Sequence, residues 1–160
     1  MRFRFIDQIT QLTPGQRIEG IKRLMATERY LEDHFPRFPI MPGVLMLESM
    51  YQAAQWLVRR TEDFAHSMIV LKEARNVKFT GFVKPGQELL VTAEIKKQEG
   101  NCTTLMTQGT VDGRLAVSAR LIVETFQIGD RFPHRAATQD YILREVRKQF
   151  EHVMAGTSDE

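Results

Sequence analysis

His34 and Glu48, which flank a proline-rich run, have side chains suited to moving protons at neutral pH. An imidazole titrates near neutrality and serves naturally as a general base. Glu48 falls among Leu45, Leu47 and Met50. A carboxyl group in apolar surroundings keeps its proton to higher pH, which is what a general acid needs. Between them, Gly43 and Val44 open a predicted helix. The first amides of a helix lack internal acceptors and sit at the positive end of its dipole, so they can stabilise a carbonyl oxygen that gains charge. Gly43 also permits close backbone approach.

Each of these residues has a plainer reading. A lone histidine on a loop often has no role, and many helices begin with free amides that bind nothing. Glu48, Gln52, Gln55 and Arg59 recur at spacings of four, three and four, which is one continuous helix face and commonly the solvated one.

The elements that must hold these residues are legible from pattern. Residues 2–11 and 17–27 read as strands parted by the turn signal Thr13-Pro14-Gly15. Pro36, Pro39 and Pro42 each fix their own φ and push the preceding residue toward extended geometry, so 34–42 reads as an ordered, extended loop. Residues 43–60 lack interior Gly and Pro. Val44, Leu47, Met50, Tyr51, Ala54, Leu57 and Val58 fall there at helical spacing, predicting a core helix. Segments 68–79, 88–98, 102–111 and 115–126 read as strands, the last three joined by hairpin signals at Glu99-Gly100-Asn101 and Asp112-Gly113. A connector over 130–137 leads to an amphipathic helix over 138–154, with Ile142, Leu143, Val146, Phe150 and Val153 on one face. One central helix with a run of antiparallel strands is an α+β arrangement, and a curved sheet around that helix would bury its apolar sides.

Spacing bears on how the site is assembled. An extended chain from His34 to Pro42 would span roughly 25 Å, whereas Glu48 lies only about 8 Å along the helix from Gly43. Either the loop doubles back, or a two-fold dimer brings His34 of one chain beside Glu48 of the other.

Composition narrows the remaining classes. The chain has 160 residues, a formal net charge of +2 and a single cysteine, Cys102, so no intrachain disulfide is expected. No nucleic-acid partner is expected from so small a charge. Basic residues at Arg59-Arg60, Lys96-Lys97, Arg144 and Arg147-Lys148 read either as solvated surface or as a docking face for an acidic partner. His66, His134 and His152 have no metal-binding spacing, and no metal or cofactor is expected. No signal peptide or membrane span is evident, which makes the cytoplasm the expected compartment.

The run from His34 through Phe35, Pro36, Pro39, Pro42, Gly43 and Val44 to Glu48 and Gln52 resembles the signature of the 3-hydroxyacyl-acyl-carrier-protein dehydratases of bacterial fatty-acid synthesis. Looser similarity extends from about residue 5 to residue 126. It takes in Phe5-Ile-Asp-Gln-Ile, the Pro14-Gly15 turn, Val77-Lys-Phe and Val83-Lys-Pro-Gly. The resemblance implies a hotdog fold over residues 1–130, with 131–160 packed on the same domain. It further implies a homodimer, alone or as a trimer of dimers, with sites shared between chains. On that match His34 removes the C2 proton of a (3R)-3-hydroxyacyl thioester and Glu48 assists departure of the C3 hydroxyl. Gly43, beside Val44, holds the thioester carbonyl and Gln52 orients Glu48. The product is a trans-2-enoyl thioester, and the substrate arrives on the phosphopantetheine arm of an acyl carrier protein. A hotdog thioesterase and a non-catalytic carrier-binding subunit are the alternatives. Arg37 stands where these enzymes commonly have glycine, and the helix over 138–154 extends past the usual end of the domain.

Overall fold

The computed structural model describes residues 3–156. Six strands form one antiparallel sheet in the order β1-β2-β4-β5-β6-β3. They are β1 (Gln8–Thr13), β2 (Arg17–Arg23), β3 (Met68–Phe79), β4 (Glu88–Glu99), β5 (Cys102–Val111) and β6 (Arg114–Phe126). Asp112 and Gly113, between β5 and β6, both have positive φ, as a tight hairpin turn requires. The order leaves β1 and β3 as the sheet's two edges.

The sheet wraps α2 (Gly43–Thr61), touching it through β2, β3, β4, β5 and β6. Met46, Met50, Ala53, Ala54 and Leu57 face the sheet and are essentially inaccessible, against Ile18, Leu89, Val91, Leu105 and Leu121. Burying each large side chain contributes about 1.5–3 kcal/mol, so α2 is held chiefly by this one face. Tyr51 adds a polar tie, its hydroxyl donating to the Ile69 carbonyl at 3.2 Å. Burial, with the charge of Glu48 also acting against ionisation, pushes the Tyr51 phenol above its ordinary value of 10.0.

Three local expectations are corrected. β1 begins at Gln8 rather than near the N-terminus. Residues 3–6 instead run outside the sheet, because the Phe5 amide is used by a side chain of α2; residue 2, where the expected strand begins, lies outside the described residues. β2 ends at Arg23, and the chain then turns into the one-turn helix α1 (Tyr30–Asp33). The loop after it is not extended throughout. Phe35 has φ +49, and the Phe38 amide donates to the Phe35 carbonyl at 2.8 Å, closing a tight turn before the chain straightens into Pro42.

The chain ends with α3 (Ile128–Arg131), a 3-10 turn (Pro133–Thr138) and α4 (Gln139–Ala155). α4 lies against β1 and α2. Phe150 packs between Trp56 and Phe64, with ring centroids 5.7 and 5.3 Å away, and Val153 is buried. No helix among the described residues is long and apolar enough to cross a membrane.

Candidate active site

The start of α2 is built to leave donors free. Its N-cap is Pro42, and no side chain caps the helix. The first amides to find acceptors are Leu45 and Met46, both on the Pro42 carbonyl. The Gly43 and Val44 amides have no acceptor among the described residues, as an oxyanion-binding helix start requires. Pro42 itself is fixed from behind, since the Met41 amide donates to the Val83 carbonyl at 2.9 Å. Gly43 is needed here for space. A Cβ at that position would meet the Phe79 ring at 3.0–3.3 Å, closer than the ring can accept without moving. Phe79, the last residue of β3, therefore lies over the helix start, and half its surface is open to solvent.

Glu48 sits one turn further along α2 and is half-buried. Its carboxylate accepts a hydrogen bond from Gln52 Nε2 at 2.9 Å, one helical turn away. Gln52 is in turn held by the N-terminal segment. Its Oε1 accepts the Phe5 amide at 2.8 Å, and its Nε2 also donates to the Phe3 carbonyl at 3.0 Å. The Phe5 amide can only donate, so it fixes which end of the Gln52 amide turns toward Glu48. The stripe of Glu48, Gln52, Gln55 and Arg59 is thus not a solvated face. Residues 3–5 lie over its upper half, and Arg59 is only 8% exposed.

His34 caps the C-terminal end of α1, its amide donating to the Tyr30 carbonyl at 3.2 Å. The imidazole is half-buried and stacks edge-on against Phe35 at 4.6 Å. α1 is anchored from below by a cluster that sequence pattern did not reveal. Lys22, 6% exposed, pairs with Glu28 at 2.8 Å and lies 3.7 Å from Asp7. The Glu28 carbonyl accepts the Leu31 amide, which joins this ion pair to the α1 backbone. The Tyr30 ring packs on Phe5 at 6.4 Å, and its hydroxyl is buried without a hydrogen-bond partner among the described residues. Burial first, and then the nearby Glu28 carboxylate, push that phenol well above its ordinary range.

Phe5 is accordingly common to both supports. Its amide orients the Gln52–Glu48 pair, while its ring contacts Tyr30 and lies 5.9 Å from the Lys22 ammonium. His34 and Glu48 share no hydrogen bond or ion pair within the chain, among the described residues. The turn at Phe35–Phe38 removes the length argument for separating them, so the division of the site between chains rests on other grounds.

Other singled-out residues have ordinary surroundings. His66 Nδ1 pairs with Glu62 at 2.9 Å. Cys102 is half-buried at the start of β5, 3.7 Å from Lys72 Nζ. Several basic groups are locally neutralised: Arg60 by Asp63, Lys96 by Glu94, Lys97 by Glu99 and Lys148 by Glu145. Arg147 is spent on the Phe64 ring and the Asp63 carbonyl.

A single antiparallel sheet wrapped around one long helix is the hotdog arrangement. The chain belongs to the FabA-like domain family, which matches residues 1–120. It is 36% identical to the 3-hydroxyacyl-acyl-carrier-protein dehydratase FabZ of Levilactobacillus brevis over 117 residues, 73% of this chain and 79% of that one. It is 34% identical to the enzyme of the same name from Lactiplantibacillus plantarum, over 78% of this chain and 83% of the relative. Among solved structures, the dehydratase heterocomplex ApeI:P from Xenorhabdus doucetiae matches with a TM-score of 0.63 at 16% identity, covering 77% of this chain and 83% of that one. That likeness is one of fold.

Proposed function

We propose that the chain dehydrates (3R)-3-hydroxyacyl thioesters to trans-2-enoyl thioesters, with the acyl group carried on the phosphopantetheine arm of an acyl carrier protein. The observation that carries this reading is Glu48 held by Gln52 one turn inside a helix whose first amides are free. The thioester oxygen accepts the Gly43 amide, beside that of Val44, which acidifies the C2 proton. His34 takes that proton, the C2–H pair becomes the C2=C3 π bond, and the C3–O bond breaks. Glu48 supplies a proton to the departing oxygen, so water leaves and every atom is accounted for. No metal or dissociable cofactor enters this scheme.

The reading places His34 of one chain with Glu48 of another. Support comes from the edge strand β3, which pairs only with β6, and from the exposed apolar residues Phe35, Phe38, Val44, Phe79 and Phe82 around the helix start. An open strand edge and a grouped apolar surface both favour a second copy. A two-fold homodimer, alone or in a trimer of dimers, closes both and yields two equivalent sites. Residues 131–156 belong to the same folded unit, and the cytoplasm is the compartment in which such a carrier is met. The carrier's acidic surface would approach Arg37, Lys78 and Lys84, which make no ion pair among the described residues; Lys84 lies over the Phe38 ring at 5.5 Å.

Turnover of 3-hydroxyacyl carrier substrates, with products identified by mass, tests the reading. Loss of one water with the thioester intact is the expected result. Release of free acid and thiol would make the chain a thioesterase, and binding without turnover would make it a non-catalytic subunit.

A further inference from the structure

On the dehydratase reading, the acyl group has a direction along α2. Its thioester carbonyl meets the Gly43 and Val44 amides, and its C3 carbon meets Glu48 one turn further on. Carbons beyond C3 continue past Glu48 toward the C-terminal end of the helix. Most of the helix surface there is taken. The face with Met50, Ala53 and Leu57 is packed on the sheet. Gln52 is held under residues 3–5, and Trp56 lies against Phe150 of α4. The side that carries Tyr51 is left, and it turns toward the edge strand β3.

Tyr51 stands across this lane. It follows Glu48 at i+3, so the two side chains are neighbours on the helix surface. Long helical side chains lean toward the N-terminus, which sets the ring over the turn that holds Glu48. The Glu48 charge accordingly acts on the Tyr51 phenol. The ring is not free to swing aside. Its hydroxyl donates to the Ile69 carbonyl at 3.2 Å and so bridges α2 to β3. Ile69 is itself buried and in register with Thr125 of β6, which fixes the anchor. The ring is half-buried and packs against the core. Moving it would break that hydrogen bond and bare its apolar faces together.

We infer that Tyr51, bridged to β3, is the end wall of the acyl lane and restricts this site to short acyl groups. The length follows from the helix. Tyr51 lies about 4.5 Å beyond Glu48 along the axis, the length of about three methylenes, so the lane holds about six carbons in all. Longer chains would have to displace the ring from Ile69 or leave their ends in water. Tyr51 is thus a specificity-determining residue, and the chemistry at His34 and Glu48 does not depend on its hydroxyl.

The test measures binding by calorimetry, with butanoyl, hexanoyl, octanoyl and decanoyl pantetheine analogues in which an amide replaces the thioester. These can be neither dehydrated nor hydrolysed, so the readout is independent of turnover. On the wild-type chain, affinity should rise about fourfold per methylene from butanoyl to hexanoyl and then stop. In Tyr51→Ala the rise should continue, leaving decanoyl about tenfold or more tighter than hexanoyl. Tyr51→Leu keeps an apolar side chain on the helix and should extend the limit in the same direction. Tyr51→Phe removes only the tie to Ile69 and should move the limit less than Tyr51→Ala does. Turnover of a trans-2-decenoyl thioester relative to a crotonyl one should rise in Tyr51→Ala as the binding does. A wild-type chain that binds decanoyl much more tightly than hexanoyl would overturn the proposal. So would a limit that stays at hexanoyl in folded Tyr51→Ala or Tyr51→Leu. A wild-type chain that shows this limit and its relief in the variants, yet turns over no thioester, would remove the dehydratase reading and leave the wall at Tyr51 standing.

Discussion

Replacing Gln52 with leucine tests how Glu48 is held. The substitution keeps roughly the same volume and removes three hydrogen bonds: from the Phe5 amide, to the Phe3 carbonyl and to Glu48. The three losses are unequal. The Phe3 end is exposed, so water can replace that bond at little cost. Phe5 is 4% exposed, and its amide would be left without an acceptor, which costs about 1–3 kcal/mol. Taking about 2 kcal/mol, a chain of this size should lose roughly 4–8 °C in Tm at fixed protein concentration. Glu48, freed to rotate, should cost on the order of tenfold in kcat, equivalent to about 1.4 kcal/mol. Gln52→Glu separates the two effects. It keeps an acceptor for Phe5 but turns the donor facing Glu48 into a second carboxylate. That variant should lose as much kcat, and should regain stability relative to wild type as pH falls toward about 4, where the paired acids share a proton. Thermal melts and crotonyl-thioester hydration measure both. A Gln52→Leu chain with unchanged Tm and unchanged kcat would refute this account of Glu48.

Leu57→Ala empties a fully buried site between α2 and the sheet and should cost about 2–5 kcal/mol by denaturant titration. Tyr30→Phe removes a buried hydroxyl with no partner and should leave stability unchanged or raise it. The pH dependence has a definite sign. The folded chain keeps the Tyr30 and Tyr51 protons that the unfolded chain releases near 10.0. The unfolded state then binds fewer protons, so unfolding free energy should fall as pH rises above that value, and less steeply in Tyr30→Phe. Lys22→Met strips the cation from Asp7 and Glu28 and loosens α1. It should lower kcat at constant KM, and Lys22→Arg should restore most of the loss; equal loss in both would assign Lys22 a merely structural role.

Much of this was legible in the sequence because it rests on local rules. Helix α2 is announced by its apolar spacing and by Pro42-Gly43, and the β5–β6 hairpin by Asp112-Gly113. What pattern did not show depends on distant partners. The stripe through Glu48 and Arg59 has the spacing of a solvated face, and it is covered only because residues 3–5 and α4 fold back across it. Lys22 alternates like a surface strand residue, yet it is buried because Asp7 and Glu28 converge on it. Phe79 closes on Gly43 across the fold, and a contact of that kind has no periodicity. The turn at Phe35 escaped because the three prolines argued for extension, while a single positive φ reversed the chain.

The central claim is that His34 and Glu48 act together from different chains. Coexpression of His34→Ala with Glu48→Gln, followed by hydration of a crotonyl thioester, measures it most directly. Each variant alone should be inactive while folded. Random pairing makes half the dimers mixed, each with one intact site of two, so about a quarter of wild-type activity should return. No recovery in the mixture, or full activity in either variant alone, would contradict the account.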